Sequence, residues 1–195
     1  MRKFLNFILL VFVLLTSCEY ESNELENRYF FVSFFIPTRA TYYEYTQYSK
    51  KNTLHLSSDE IITENNNPSE YFRLDNEYGE DGKSRISDEP PTASNQPIGI
   101  ETMKVYRVVG NEREDVSDQC SIKYMNYSLY VSEHFSSSIT YEMMWVKKKV
   151  SELTDFDYKW MNESITLTLD FQNEGNVYLI ISLDNGTEIE QILLY

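Results

Sequence analysis

Glycine and proline are scarce, six and five in 195 residues, which excludes collagen-like and Gly/Pro low-complexity chains. Histidine occurs only as His55 and His134, so a histidine-based triad or metal site has few candidates. Lysine and arginine total 17 against 31 acidic residues, a net charge of −14. That balance excludes recruitment of nucleic acid or anionic lipid through bulk charge. The chain has no Gly-rich phosphate loop, zinc-type Cys/His spacing or nucleophile elbow. Aromatic residues are plentiful, with 16 Tyr and 11 Phe, and such side chains suit a pleated, half-buried surface. The length fits one domain with short extras.

The first residues read as a targeting segment rather than as part of a fold. Met1-Arg2-Lys3 is a short basic region, and residues 4–15 are apolar except for Asn6. The run is shorter than the ~20 residues of a spanning helix and has the form of a signal peptide. Leu15-Thr16-Ser17-Cys18 follows. This box resembles the lipobox of bacterial lipoproteins: an aliphatic residue, two small residues and a cysteine. The resemblance implies that the Cys18 sulfur takes a diacylglyceryl group and that the chain is cleaved before Cys18, leaving the membrane as its first partner. Loss of Arg2 and Lys3 with residues 1–17 shifts the net charge from −14 to −16. Glu19 rather than Asp after the cysteine implies, by the same likeness, the outer membrane. Residues 19–26 are acidic and resemble the export tether of surface lipoproteins in Gram-negative gut anaerobes, so 18–27 is expected to be a tether. With Cys18 lipidated, Cys120 has no intramolecular partner, and its expected role is that of a small buried hydrophobe.

Strand patterns fill much of residues 28–195, the expected single domain. In 29–36, Phe30, Val32, Phe34 and Ile36 share one face while Phe31 and Phe35 take the other, and Pro37 ends the run. Residues 38–97 are the least patterned stretch, with a weak capping signal for a short helix at Ser57–Ile62. From 98 to 109 the apolar phase shifts between Ile100 and Met103, which predicts a bulge, and Gly110-Asn111 turns the chain. Residues 124–131 alternate with Met125, Tyr127, Leu129 and Val131 together. The stretch 141–150 is apolar to Val146, then reads Lys147-Lys148-Lys149. Alternation is strict in 164–171 and 176–183, and Asn185-Gly186 predicts a type I′ hairpin into 187–194. About seven strands with turns between them predict an all-β, antiparallel, immunoglobulin-like β-sandwich with one long irregular insertion at 38–97. The lipobox, the 98–109 strand and the closing hairpin from Tyr178 to Tyr195 resemble a family of uncharacterised gut-anaerobe lipoproteins. That likeness implies no activity.

Chemistry-bearing candidates are few. Residues 75–82 crowd oxygen ligands in one acidic stretch, but Glu80 stands where an EF-hand turning glycine belongs, so no metal is expected. Asp155, Asp157, Glu163 and Asp170 contain pairs of carboxylates of the kind glycosidases use, a set that an acidic chain also produces by chance. Neither a cofactor nor an enzymatic activity is expected. Tyr42, Tyr43, Tyr45, Tyr48, Trp145 and Trp160 exceed the needs of one small core, and are the candidate ligand contacts. Extended backbone would put Tyr43 and Tyr45 on one face, with Tyr42 and Tyr48 opposite. The expectation is a lipid-anchored, non-catalytic binding or structural lipoprotein of the cell envelope with a protein partner. The competing expectation is a carbohydrate-binding accessory of an outer-membrane glycan-capture system.

Overall fold

The computed structural model describes residues 31–43, 52–78, 94–133, 138–171 and 175–194. The signal peptide, Cys18, the tether, Phe30, Tyr45, Tyr48 and His134 lie outside the described residues. The fold is an all-β antiparallel sandwich. One sheet has five strands in the order β2 (Arg39–Tyr43), β3 (Thr53–Ser57), β9 (Ser164–Leu169), β7 (Cys120–Met125) and β8 (Trp145–Lys149). The other has four, in the order β11 (Glu188–Leu194), β10 (Asn176–Leu183), β5 (Ile100–Val109) and β6 (Glu112–Asp115). Period-2 patterning decides which face each strand buries. Val177, Leu179, Ile181 and Leu183 of β10 face Leu54, Leu56, Ile122, Ile165 and Leu167 of the opposite sheet in one apolar core. Burying each such side chain contributes ~1.5–3 kcal/mol.

A smaller layer closes one end. Strand β1 (Phe31–Phe35) pairs in parallel with β4 (Ser94–Pro97), and its register slips between Phe31 and Ser33. The slip exposes Val32 and buries Phe31, Ser33, Phe34 and Phe35 together, which breaks the alternation expected there. Phe31 and Phe34 join Tyr71, Leu74 and Tyr78 of helix α1 (Pro68–Tyr78) in a second apolar cluster. Tyr127, Tyr130 and Val131 of and beside helix α2 (Ser128–Ser132) complete it, along with Met144 of the turn α3 (Tyr141–Met144).

Several expectations need correction. The stretch 38–97 holds β2, β3, α1 and β4, and so is irregular only in part; the remainder, 44–51 and 79–93, lies outside the described residues. No helix forms at 57–62; the helix starts at Pro68, with the Asn67 side chain accepting from the Glu70 N–H. Residues 124–131 are a strand only to Met125. The Asn126 side chain then accepts from the Ser128 N–H and hydroxyl and starts α2. Eleven strands are present among the described residues where about seven were expected. The bulge in β5 is present, where Ser182 faces Thr102 but Leu183 faces Ile100. The last hairpin has a longer loop than predicted. The Gly186 N–H donates to the Leu183 carbonyl and the Leu183 N–H to Thr187, so Asp184 and Asn185 are the central residues. Gly186 then takes the left-handed conformation, φ 81°. Gly186→Ala is expected to cost about 1–2 kcal/mol, read as a lower midpoint in urea with an unchanged slope.

Candidate functional site

The structure does not bring the six sequence-selected aromatics together. Tyr42 and Tyr43 sit on β2, the edge strand opposite β8, which carries Trp145. Tyr42 packs half-buried against the sandwich core, whereas Tyr43 is 55% exposed, so the two rings do take opposite faces. Trp145 and Trp160 both pack half-buried against the second cluster. Lys123 places its ammonium 4.9 Å from the Trp145 ring centre.

Trp160 also lines a cleft of about 380 Å³ between three helices. The last turn of α1 supplies Glu77 and Tyr78, α2 supplies Ser128, Leu129, Val131 and Ser132, and α4 (Asp155–Trp160) supplies Phe156 and Trp160. A capping box starts α4, with the Asp157 carboxylate accepting from the Thr154 N–H and hydroxyl. Asp157 and Tyr158 point inward, which turns Phe156 outward, 57% exposed beside Leu129. Tyr78 meets Trp160 edge to face at 5.6 Å. The Lys159 ammonium lies 5.0 Å from the Tyr78 ring centre and 5.4 Å from that of Trp160, and donates to the Glu77 carbonyl at 3.2 Å. It thereby caps the carboxyl end of α1 with positive charge. Burial, then the Glu77 charge, pushes the Tyr78 hydroxyl above its ordinary value.

The polar groups of the cleft are already engaged. The Ser128 hydroxyl donates to Asn126 at 2.6 Å and the Ser132 hydroxyl to the Leu129 carbonyl at 3.0 Å. Glu77 accepts from Arg73 at 3.1 Å. The cleft therefore offers apolar surface with little unspent hydrogen bonding, chemistry suited to holding an apolar side chain.

Two of the four carboxylates considered for catalysis, Asp157 and Asp170, have structural partners. Asp157 is 2% exposed and accepts from Lys148 at 2.8 Å and from the Tyr124 hydroxyl at 2.6 Å. Burial alone would raise its carboxyl, but the bonds from Lys148, Tyr124 and Thr154 outweigh burial and hold it below the usual range. Asp170 accepts from Lys149 at 2.8 Å and Ser121 at 2.9 Å, which lowers it as well. Asp75 lies buried in α1, so 75–82 is not one open loop. His55 Nδ1 is 3.1 Å from the Ser164 hydroxyl oxygen. Cys120 is fully buried in the core, and burial followed by the Asp170 charge pushes its thiol up to about 12. Such a thiol is inert at neutral pH.

Sequence reasoning found Trp160 but missed Tyr78, Leu129 and Phe156. The signal for Phe156 was present: Thr154 and Asp157 form a capping pair, which fixes one face of the following turn inward. Among the described residues no helix is long and apolar enough to cross a membrane, and no group of three His, Cys, Asp or Glu is placed to hold a metal ion. Comparison of the chain with family models, curated proteins and solved structures gives no match.

Proposed function

We propose that the chain is a lipid-anchored lipoprotein of the cell envelope with a non-catalytic binding role, docking a protein partner in the helical cleft. The observation that carries the docking is Phe156, exposed beside Leu129 at a cleft whose serine hydroxyls donate internally. The occupant is a peptide segment presenting an apolar side chain next to a basic one. The apolar group fills the space between Leu129, Phe156 and Trp160. The base is drawn by the chain's net charge of −14, since Glu77 at the cleft already faces Arg73 and Lys159. Three aromatics in one cleft also invite a sugar. Lys159, however, already lies over the Tyr78 and Trp160 rings, and the serine hydroxyls are spent. A Cys18 anchor and the 18–27 tether would hold this cleft clear of the outer membrane.

The test is photo-crosslinking in intact cells from benzoylphenylalanine placed at Ser132. One envelope-protein adduct is expected, and Phe156→Asp should weaken capture about 30-fold, the effect of a hot-spot residue worth ~2 kcal/mol. The same probe at Glu190, on the far sheet, should give no adduct. Equal adducts from both positions, none at all, or an adduct insensitive to Phe156→Asp overturns the docking.

A further inference from the structure

The outer face of the five-stranded sheet has a composition at odds with the rest of the chain. Register gives three positions of outward parity on each of its strands: 39, 41 and 43; 53, 55 and 57; 164, 166 and 168; 121, 123 and 125; and 145, 147 and 149. Ser121 and Met125 are nevertheless buried and Trp145 packs against the second cluster, so the open part of the face is the remainder. None of these positions is aspartate or glutamate, in a chain with 31 acidic residues. Asp170, which continues the parity of 164–168 just past β9, is a carboxylate at the margin of this face and accepts from Ser121 and Lys149. The outer face of the other sheet does carry carboxylates, Glu188 and Glu190 on β11 and Asp115 on β6. The strand positions of this face therefore differ from those of the other sheet, and its carboxylates, Asp170 and Asp59, stand at its margins.

One row crosses all five strands in register: Tyr43, Thr53, Thr166, Lys123 and Lys147. At ~4.8 Å per strand the row spans roughly 19 Å. It begins with an exposed ring, continues through two hydroxyls and ends on two cations. Lys123 and Lys147 are direct cross-strand partners and both are exposed. Like charges facing each other across a ladder oppose folding. The neighbouring cations are paired, Lys149 with Asp170 and Arg39 with Asp59. Lys147 makes no ion pair among the described residues and feels Asp170 only at longer range, while Lys123 leans over the Trp145 ring. The cost of that pair is recovered when an anion bridges it.

We infer that this face binds an acidic polysaccharide, one bearing carboxylate or sulfate groups, laid across the strands. Its anionic group sits between Lys123 and Lys147, its ring hydroxyls bond to Thr53 and Thr166, and a further sugar ring stacks on Tyr43. Charge complementarity selects the anion, and the hydroxyls and the ring select a saccharide over other anions. An anionic bilayer fits less well: a flat layer of headgroups offers no sugar ring to stack on Tyr43 and no ring hydroxyls for Thr53 and Thr166. The face lies apart from the helical cleft, so failure of either proposal leaves the other standing.

The test is affinity electrophoresis of the full-length chain in detergent through gels containing polygalacturonate, dextran sulfate or neutral dextran. Polyglutamate and phosphatidylglycerol vesicles serve as competitors. Retardation by at least one acidic polysaccharide and none by dextran is expected. Lys123→Gln with Lys147→Gln should weaken it at least tenfold, and Tyr43→Ala severalfold. The lysine variant should melt close to the parent, since it removes a repulsive pair together with the Lys123–Trp145 contact. The proposal is overturned by retardation that survives the double substitution, by equal retardation in dextran, or by none in any gel. Competition by polyglutamate or by the vesicles as strong as that by free polygalacturonate would make the face a plain cationic patch, and also overturns it.

Discussion

Asp157→Ala is expected to remove about 3–5 kcal/mol of folding free energy, the cost of leaving one partner of a buried ion pair alone. The carboxylate is 2% exposed and holds three elements at once. Lys148 reaches it from β8, the Tyr124 hydroxyl from β7, and Thr154 from the start of α4. The alanine variant would bury the Tyr124 hydroxyl without its acceptor and leave a half-buried ammonium without a counter-charge. At ~2–4 °C per kcal/mol for a domain of this size, the melting temperature should fall by roughly 10 °C. A companion variant, Asp157→Leu with Lys148→Met, should recover much of the loss, since a packed apolar pair can replace a buried ionic one. A loss below about 1 kcal/mol for the alanine variant in urea unfolding would contradict this account. The pH dependence follows with a definite sign. The folded carboxyl titrates below its unfolded value of ~3.9, so its contribution is full above that pH and is lost as pH falls through the lower folded value. Neutral and mildly acidic buffers should leave stability unchanged on this account.

What could be read from the sequence divides according to how much each segment relies on period 2. In β9 and β10 every second residue enters the core, Ile165 and Leu167, then Val177 to Leu183. Polar residues between them made those strands and the closing hairpin legible. Helices failed for a specific reason in each case. In 124–131 the apolar residues fit alternation, yet Tyr127, Tyr130 and Val131 also fit the i, i+3, i+4 spacing that the structure uses, and Leu129 faces out. Short apolar runs do not separate the two periods. In α1 the signals were local and polar: Asn67 as the cap, Pro68 at the first position, then Tyr71, Leu74 and Tyr78 inward. Surrounded by acidic residues, that stretch reads as loop.

The candidate sites were harder to read, because both are products of packing between segments distant in sequence. The cleft joins residues 77 and 78 to 128–132 and 156–160, and only Trp160 stood out by type. Nothing in the composition near Leu129 marks it as exposed; the switch from β7 to α2 does. The sheet face is similar. Lys147-Lys148-Lys149 reads as one charge run, but the strand separates it, sending Lys148 inward to Asp157 and Lys147 outward beside Lys123. Of the tyrosine cluster, the parity argument holds where the chain is described, with Tyr42 inward and Tyr43 outward.

Replacing Cys18 with alanine should abolish labelling by palmitate completely, the largest effect expected for any single change in this chain. A diacylglyceryl thioether requires the Cys18 sulfur, and alanine has no nucleophile to form it, so neither the lipid nor cleavage before residue 18 would follow. Each buried acyl CH₂ contributes ~0.8 kcal/mol; one chain of myristoyl length binds with K of about 10⁴ M⁻¹, and two or three anchor stably. Among the described residues no helix is long and apolar enough to span a bilayer, and the net charge of −14 disfavours an anionic surface. Three chains separate the contributions. The parent should label and enter the detergent phase of a phase-separating detergent. Cys18→Ala should remain unlabelled and migrate as a precursor that retains residues 1–17. A chain starting at Ser22 should stay in the aqueous phase and keep the strand-rich circular dichroism of the sandwich. Palmitate incorporation into Cys18→Ala, or detergent partitioning of the chain starting at Ser22, would show that attachment does not run through this cysteine.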